Sequence, residues 1–161
     1  MNLQSELTAL QERTLGLTPV ERAKLCCALA KQFEKAGEYE SAGEALSEFW
    51  PQREGPPNSD DLEGATKAEV LLRVGCLAGW MGSRDQTEGS QETAKDLITQ
   101  SVEIFEELGQ SARVAEARGD LALCYWREGS YDEARIHLTN ALTLLGSDNA
   151  ELRAVLLIRA G

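Results

Sequence analysis

The chain has 161 residues, of which 42% are hydrophobic, and this is enough for one globular domain or a short helical array with a continuous core. Its net charge of −11 argues against nucleic acid as the main partner, because phosphate binding requires a cationic surface. No stretch approaches the roughly 20 apolar residues that span a bilayer, and no secretory signal opens the chain, so we expect a cytoplasmic protein with no membrane partner.

Apolar residues recur at helical spacing along most of the chain, and no alternating strand pattern competes with it. The clearest start signal is Thr18-Pro19-Val20-Glu21, which combines a capping hydroxyl, a proline at the first helical position and a glutamate able to bond back to the cap. The predicted elements, in chain order, are an N-terminal helix within 1–16, helices at 20–36 and 39–50, a loop at 51–65, helices at 68–81 and 91–108 separated by a loop at 82–90, helices at 112–128 and 131–145, and a last helix from 149.

Turn-forming residues separate these helices. Proline, glycine and acidic residues collect at 51–64, where the apolar periodicity disappears. Two further N-cap signals open with Thr66 and Ser130, each followed three residues later by a glutamate, and Asp148 with Glu151 is a weaker one. The glycines expected to end helices are Gly37, Gly82, Gly109 and Gly129.

One segment, 115–148, carries small, aromatic and turn-forming residues in a repeat-like order (AEARGDLALCYWREGSYDEARIHLTNALTLLGSD). It resembles the tetratricopeptide repeat, a 34-residue helix-turn-helix unit. Small residues in such a unit let two helices approach closely while large ones interlock around them. The positions that match are Leu121, Ala122, Tyr125, Gly129, Tyr131, Ala134, Leu138, Ala141 and Leu142.

The resemblance implies a single all-α domain, a tetratricopeptide-like right-handed superhelix of antiparallel helix pairs. Because a repeat buries its apolar faces only against neighbours, the apolar last helix also predicts that the chain is the N-terminal part of a longer bacterial protein, or that this helix packs on a second copy. The implied units are an N-terminal helix at 1–16, repeat 1 at 20–50, a loop at 51–65, repeat 2 with an insertion at 66–108, repeat 3 at 112–148, and the first helix of an incomplete repeat 4 at 149–161.

Catalytic and metal-binding motifs are lacking in the sequence. The single histidine, His137, has no second imidazole to join it, and neither a phosphate-binding glycine loop nor a zinc-protease motif occurs. We therefore expect no enzymatic activity, no cofactor and no metal. The four cysteines form no C-x-x-C pair and are interpreted as packing residues within helices: Cys26, Cys27, Cys76 and Cys124.

The resemblance further implies a concave groove that is lined by the first helix of each unit and accepts an extended or helical peptide. Trp80, Trp126 and Arg127 are the leading candidates for contact, because tryptophan and arginine are enriched among binding hot spots. Packing of Trp126 on a neighbouring unit, and a merely solvated lysine face, are the alternatives. Carried over by alignment, the exposed groove positions are Lys24, Cys27, Lys31, Glu34 and Lys35 in the first unit, Glu69, Leu72, Cys76 and Trp80 in the second, and Glu116, Leu123, Trp126 and Arg127 in the third.

The family's chaperone co-factors bind two carboxylates with lysine and asparagine at fixed groove positions. This chain has Cys27, Lys31, Leu72 and Cys76 there, which disfavours that activity. The leading hypothesis is a scaffold that binds a peptide or partner protein in the groove, as the N-terminal module of a larger signalling or regulatory protein. The alternatives are a self-associating scaffold, with a homo-oligomer formed through the groove or the terminal repeat, and a sensor of a peptide or small ligand.

Overall fold

A computed structural model of the chain describes residues 3–13, 16–147 and 149–161. Within these ranges the protein is all-α, as predicted, with eight helices and no strand. In the same ranges, no helix combines the length and the apolar character needed to cross a membrane. The helices are α1 (Leu3–Arg13), α2 (Pro19–Lys35), α3 (Tyr39–Ala45), α4 (Gly64–Asp85), α5 (Ser90–Glu107), α6 (Ser111–Arg127), α7 (Tyr131–Leu145) and α8 (Ala150–Ala160).

Helices that follow one another in the chain pack as hairpins, most extensively α4 on α5 and α6 on α7. Three of the turns close in the same way: the residue after the glycine donates its N–H to the carbonyl five residues earlier, which is the carbonyl of Phe33, Phe105 or Tyr125. The glycines have positive φ angles of 76°, 68° and 82°, a conformation that strains other residues. They are the predicted helix ends Gly37, Gly109 and Gly129.

The start signal at Thr18 is confirmed as a complete capping box. The Glu21 N–H donates to Thr18 Oγ1 at 3.2 Å, and the Thr18 N–H donates to Glu21 Oε2 at 2.8 Å. The hydrogen bond from the Thr18 N–H favours the ionised carboxylate and lowers the pKa of Glu21. The cap therefore fixes where α2 begins.

The other start signals did not predict caps correctly. The Thr66 signal is wrong, because α4 already begins at Gly64. Ser130 occupies the N-cap position of α7, but its side chain makes no capping hydrogen bond. Asp148 lies outside the described residues, and the N-cap of α8 is Asn149.

Gly82 was predicted to end a helix, and this is wrong. The helix α4 continues to Asp85, and Gly82 is buried where α5 begins. A Cβ at position 82 would overlap the Ser90 side chain, so glycine here permits a close approach of two helices. The predicted loop at 82–90 accordingly shortens to 86–89.

The predicted helix at 39–50 is also shorter than expected, since α3 ends at Ala45. The chain then turns and buries Leu46, Phe49 and Trp50 in the core. The following loop is held by hydrogen bonds, with Trp50 Nε1 donating to the Gly55 carbonyl at 3.1 Å. The last part of the predicted helix is therefore a turn whose apolar side chains lie in the core.

Three clusters of buried apolar side chains run in series along the chain. The first joins α1, α2, α3 and α4 with Leu97 of α5, the second joins α4, α5 and α6, and the third joins α6, α7 and α8. The helix α8 reaches α6 at Gly119, where a Cβ would overlap the completely buried Leu156. This series brings α2, α4, α6 and α8 around one cavity.

Candidate functional site

A cavity of about 490 Å³ opens between every second helix of the chain, and we call it the groove. Its volume lies in the range of ligand-binding clefts. Ten of its 20 lining residues are charged, and nearly all of the others are apolar or aromatic. The lining includes Lys31, Glu34 and Lys35 from α2, Tyr39 from the start of α3, Arg73, Cys76, Leu77 and Trp80 from α4, Arg113, Glu116, Asp120, Leu123, Cys124 and Arg127 from α6, and Glu151, Leu152, Val155 and Arg159 from α8.

Five of the nine residues proposed for partner binding line this groove: Lys31, Lys35, Trp80, Leu123 and Arg127. They come from three helices that are far apart in the sequence. The structure therefore brings the basic and the aromatic part of the predicted surface into one cavity.

The remaining four proposed residues lie elsewhere. Lys24 and Glu69 border a smaller cavity of about 200 Å³ between α2, α4 and α6. Leu72 is wrong as an exposed groove position, because it is 0% exposed and packs in the second core cluster. Trp126 is 59% exposed but is not part of the groove lining.

Leu72 on α4 and Trp126 on α6 each directly precede a groove residue but do not line the groove themselves. Adjacent residues on an α-helix point about 100° apart, since a turn takes 3.6 residues. In each case the next residue, Arg73 after Leu72 and Arg127 after Trp126, lines the groove. Cys27, 2% exposed, is likewise a core residue and not a groove residue.

The floor of the groove is Arg73, a functional candidate that the repeat alignment missed. It is only 3% exposed. Its guanidinium lies 2.9 Å from a Glu34 oxygen, 3.3 Å from Glu69, 3.4 Å from Glu116 and 3.7 Å from Asp120. A buried charge is tolerated when oppositely charged groups surround it, and these carboxylates come from α2, α4 and α6.

Three further cations contact carboxylates of this cluster. Lys31 Nζ lies 2.6 Å from Glu116 Oε1, and Arg159 Nη1 lies 3.0 Å from Asp120 Oδ1. Arg113 also contacts Glu116. Although burial raises the pKa of Glu116, Arg113, Lys31 and their neighbours outweigh it and hold the pKa below its usual value. Acidic and basic groups therefore alternate from α2 to α8.

Burial of Glu34 disfavours the ionised form of its carboxyl group. Burial raises its pKa to about 7, against the opposing attraction of Arg73. Its Oε1 atom is buried and has no hydrogen-bond partner among the described residues. Near neutral pH the Glu34 carboxyl is therefore protonated in a substantial fraction of the molecules.

The aromatic end of the groove is held in place by stacking. Trp80 lies against Tyr39 with ring centroids 4.1 Å apart and planes 15° apart. The Arg84 guanidinium lies 4.8 Å from the centroid of Trp80, and Glu40 fixes it at 2.5 Å. Such contacts favour one orientation of the indole and reduce the entropy lost when a ligand packs on it.

Arg127 reaches from α6 across to α4. A Cβ built at Gly79 would lie 2.9 Å from Arg127 Nη1, so the absence of a side chain at position 79 leaves room for the guanidinium. Gln91 donates to the Gly79 carbonyl at 2.7 Å and supports the same place from α5. Arg127 lines the groove together with Trp80 and Leu123.

The mouth of the groove is crossed by one ion pair. Lys35 Nζ on α2 lies 3.1 Å from Glu151 Oε1 on α8, and both side chains are exposed. Exposed pairs contribute little stability on their own, typically under about 1 kcal/mol. The pair marks how closely the first and last groove helices approach.

No family model, curated protein or solved structure matches this chain. The tetratricopeptide resemblance consequently stays a prediction, and the groove has to be interpreted from its own residues.

Two cysteines, Cys76 and Cys124, line the groove with weakly acidic thiols. Burial raises the pKa of the Cys124 thiol to about 11, and that of Cys76 well above its usual value. Such thiols are protonated at neutral pH and are poor nucleophiles. His137 is half-buried, stacks on Tyr125 at 5.2 Å, and is not among the residues lining the groove.

Proposed function

We propose that the helix hairpins form a tetratricopeptide-like superhelix and that the groove binds a peptide or a segment of a partner protein. The single observation that carries this proposal is the lining of one cavity by every second helix. In a superhelix of hairpins, the first helices face inward together, which is the arrangement that α2, α4, α6 and α8 share. The three identical turn closures support the same repeating geometry.

The mixture of side chains favours a peptide over a compact apolar ligand. Leu123 and Trp80 present apolar surface next to charged groups from all four helices. A peptide offers backbone donors and acceptors together with charged and apolar side chains, so it can satisfy such a surface along its length. The proposed activity is binding, with no chemical step.

Selection from a displayed library of random peptides tests this proposal. Peptides enriched on the wild-type protein are retested on Leu123→Asp and Trp80→Ala, which alter the groove. Ile136→Asp is the matched control, because Ile136 is 59% exposed on α7 and is not part of the groove lining. We expect binding to survive in the control and to be lost in folded groove variants. Enriched peptides that bind all variants equally, or no enrichment, would refute the proposal.

Self-association is a second candidate function, and the exposed apolar face of α8 favours it. Leu157 is 49% exposed and Ile158 is 79% exposed. Adjacent exposed apolar residues are typical of contact surfaces. Light scattering across a concentration series tests this: a dimer that Ile158→Glu dissociates supports the idea, and a monomer at every concentration excludes it.

A further inference from the structure

The charge of the groove differs in sign from the charge of the chain. Among the described residues that line it, six side chains are cationic and four are carboxylates. The whole chain, in contrast, has a net charge of −11. A cationic cavity in an acidic protein attracts anionic ligands and disfavours much of the protein's own surface as its occupant.

Five of these six cations already have a carboxylate partner within the protein: Lys31, Lys35, Arg73, Arg113 and Arg159. Arg127 is the exception, since none of the described residues places a carboxylate within ion-pair distance of it. A guanidinium presents planar, paired donors that match the two oxygens of a carboxylate. Arg127 is therefore the groove cation most available to an incoming acid.

The surroundings of Arg127 determine what can lie next to that acid. Leu123 is one turn before it on α6, and Trp80 of α4 lines the same cavity. The stack on Tyr39 holds the Trp80 ring in a defined orientation. An acidic group at Arg127 thus has an apolar and aromatic surface within reach of the neighbouring ligand side chain.

We infer that the groove binds an acidic peptide segment in which a carboxylate pairs with Arg127 and an adjacent apolar or aromatic side chain packs against Trp80 and Leu123. This inference rests on the proposed function and adds the chemistry of the partner. The occupant is a segment of another protein, and charge complementarity is the reason for choosing it. A second copy of this chain is an alternative that the experiment distinguishes.

The experiment uses peptides selected on the wild-type protein, synthesised with each Asp or Glu in turn changed to Asn or Gln. Dissociation constants are measured for the wild type, Arg127→Gln and Arg135→Gln. Arg135 is the matched control: it lies on α7 with an exposed pair to Asp132 at 3.8 Å, and its change removes the same charge. We expect one carboxylate whose loss weakens wild-type binding about ten- to hundredfold.

The decisive result is the coupling between the two changes. The same acid-to-amide change in the peptide should leave its affinity for Arg127→Gln almost unchanged. It should weaken binding to Arg135→Gln as much as binding to wild type. Circular dichroism confirms folding, and Arg127→Lys, which keeps the charge but loses the planar fork, should bind with intermediate affinity.

Any of four results would overturn the inference. Two results would leave the proposed function standing but remove Arg127 as the carboxylate site. One is that groove-dependent peptides contain no acidic residue. The other is that the acid-to-amide change weakens peptide binding equally in wild type and Arg127→Gln. Concentration-dependent association that Arg127→Gln abolishes would identify a second copy as the occupant. Absence of any groove-dependent peptide would refute the proposed function itself.

Discussion

Replacing Arg73 by methionine should destabilise the protein strongly, because the change leaves four carboxylates around the floor of the groove without their shared cation. The side chain is 3% exposed, and its nearest carboxylate, that of Glu34, lies 2.9 Å away. Removing one partner of a buried ion pair costs about 3–5 kcal/mol. For a chain of this size that corresponds to a fall in Tm of roughly 6–20 °C.

Urea unfolding followed by circular dichroism at pH 7 measures this loss. Arg84→Met is the matched control, since Arg84 also contacts two carboxylates but is exposed, and its loss should cost far less stability than that of Arg73. The difference between wild type and Arg73→Met should shrink at pH 5, because Glu34, whose pKa Arg73 lowers, is then protonated in both proteins and needs no cation. Equal stability losses in the two variants at pH 7 would refute the reasoning.

The remaining predictions concern Glu34, Gly82 and Thr18. The pKa of Glu34, raised to about 7 by burial, means that the folded protein holds a proton that the unfolded chain releases, so this group lowers stability as pH rises from about 4.5 to 7. Glu34→Gln should therefore gain up to about 3 kcal/mol relative to wild type between pH 5 and pH 8, and parallel stability curves would contradict this. Gly82→Ala should cost about 1–3 kcal/mol in thermal unfolding through overlap with Ser90, and Ser90→Gly should recover most of the loss if the contact is the cause. Thr18→Ala should cost about 1 kcal/mol by urea unfolding, whereas Ser130→Ala, which removes no capping bond, should be nearly neutral.

The sequence was sufficient to predict the all-α fold and most helix positions, because the relevant signals are local. A glycine at positive φ ends a helix through its own backbone, as at Gly37 and Gly129, and the Thr18 capping box involves residues three apart. Gly82 was wrongly predicted to end a helix because its role depends on tertiary packing. The missing side chain leaves space for Ser90 on another helix.

The groove residues were harder to predict because helical direction depends on register. A degenerate repeat fixes the alignment only approximately, and an error of one residue rotates the side chain by about 100°. On α4 this excluded Arg73 in favour of the buried Leu72, and on α6 it added Trp126 beside Arg127, which was also predicted and does line the groove. One signal for Arg73 was present: a single arginine in the apolar run Val70-Leu71-Leu72-Arg73-Val74, which indicates a buried charge.

Several interpretations stay predictions. The tetratricopeptide resemblance, the role as an N-terminal module of a signalling or regulatory protein, and the cytoplasmic location have no test in the fold itself. Peptide selection and the double-variant measurements address the partner directly.

The ion pairs across the groove also bear on folding cooperativity. In an array of repeats, each unit usually contacts only its neighbours, so an end can fray while the rest stays folded. Here Lys31 pairs with Glu116, and Lys35 pairs with Glu151, which lies 116 residues further along the chain. These pairs link α2 to α6 and α8. At low ionic strength, where the pairs are strongest, the protein should therefore unfold more nearly in one all-or-none step. Screening by salt should loosen α8 first, since its pair to Lys35 is the more exposed of the two.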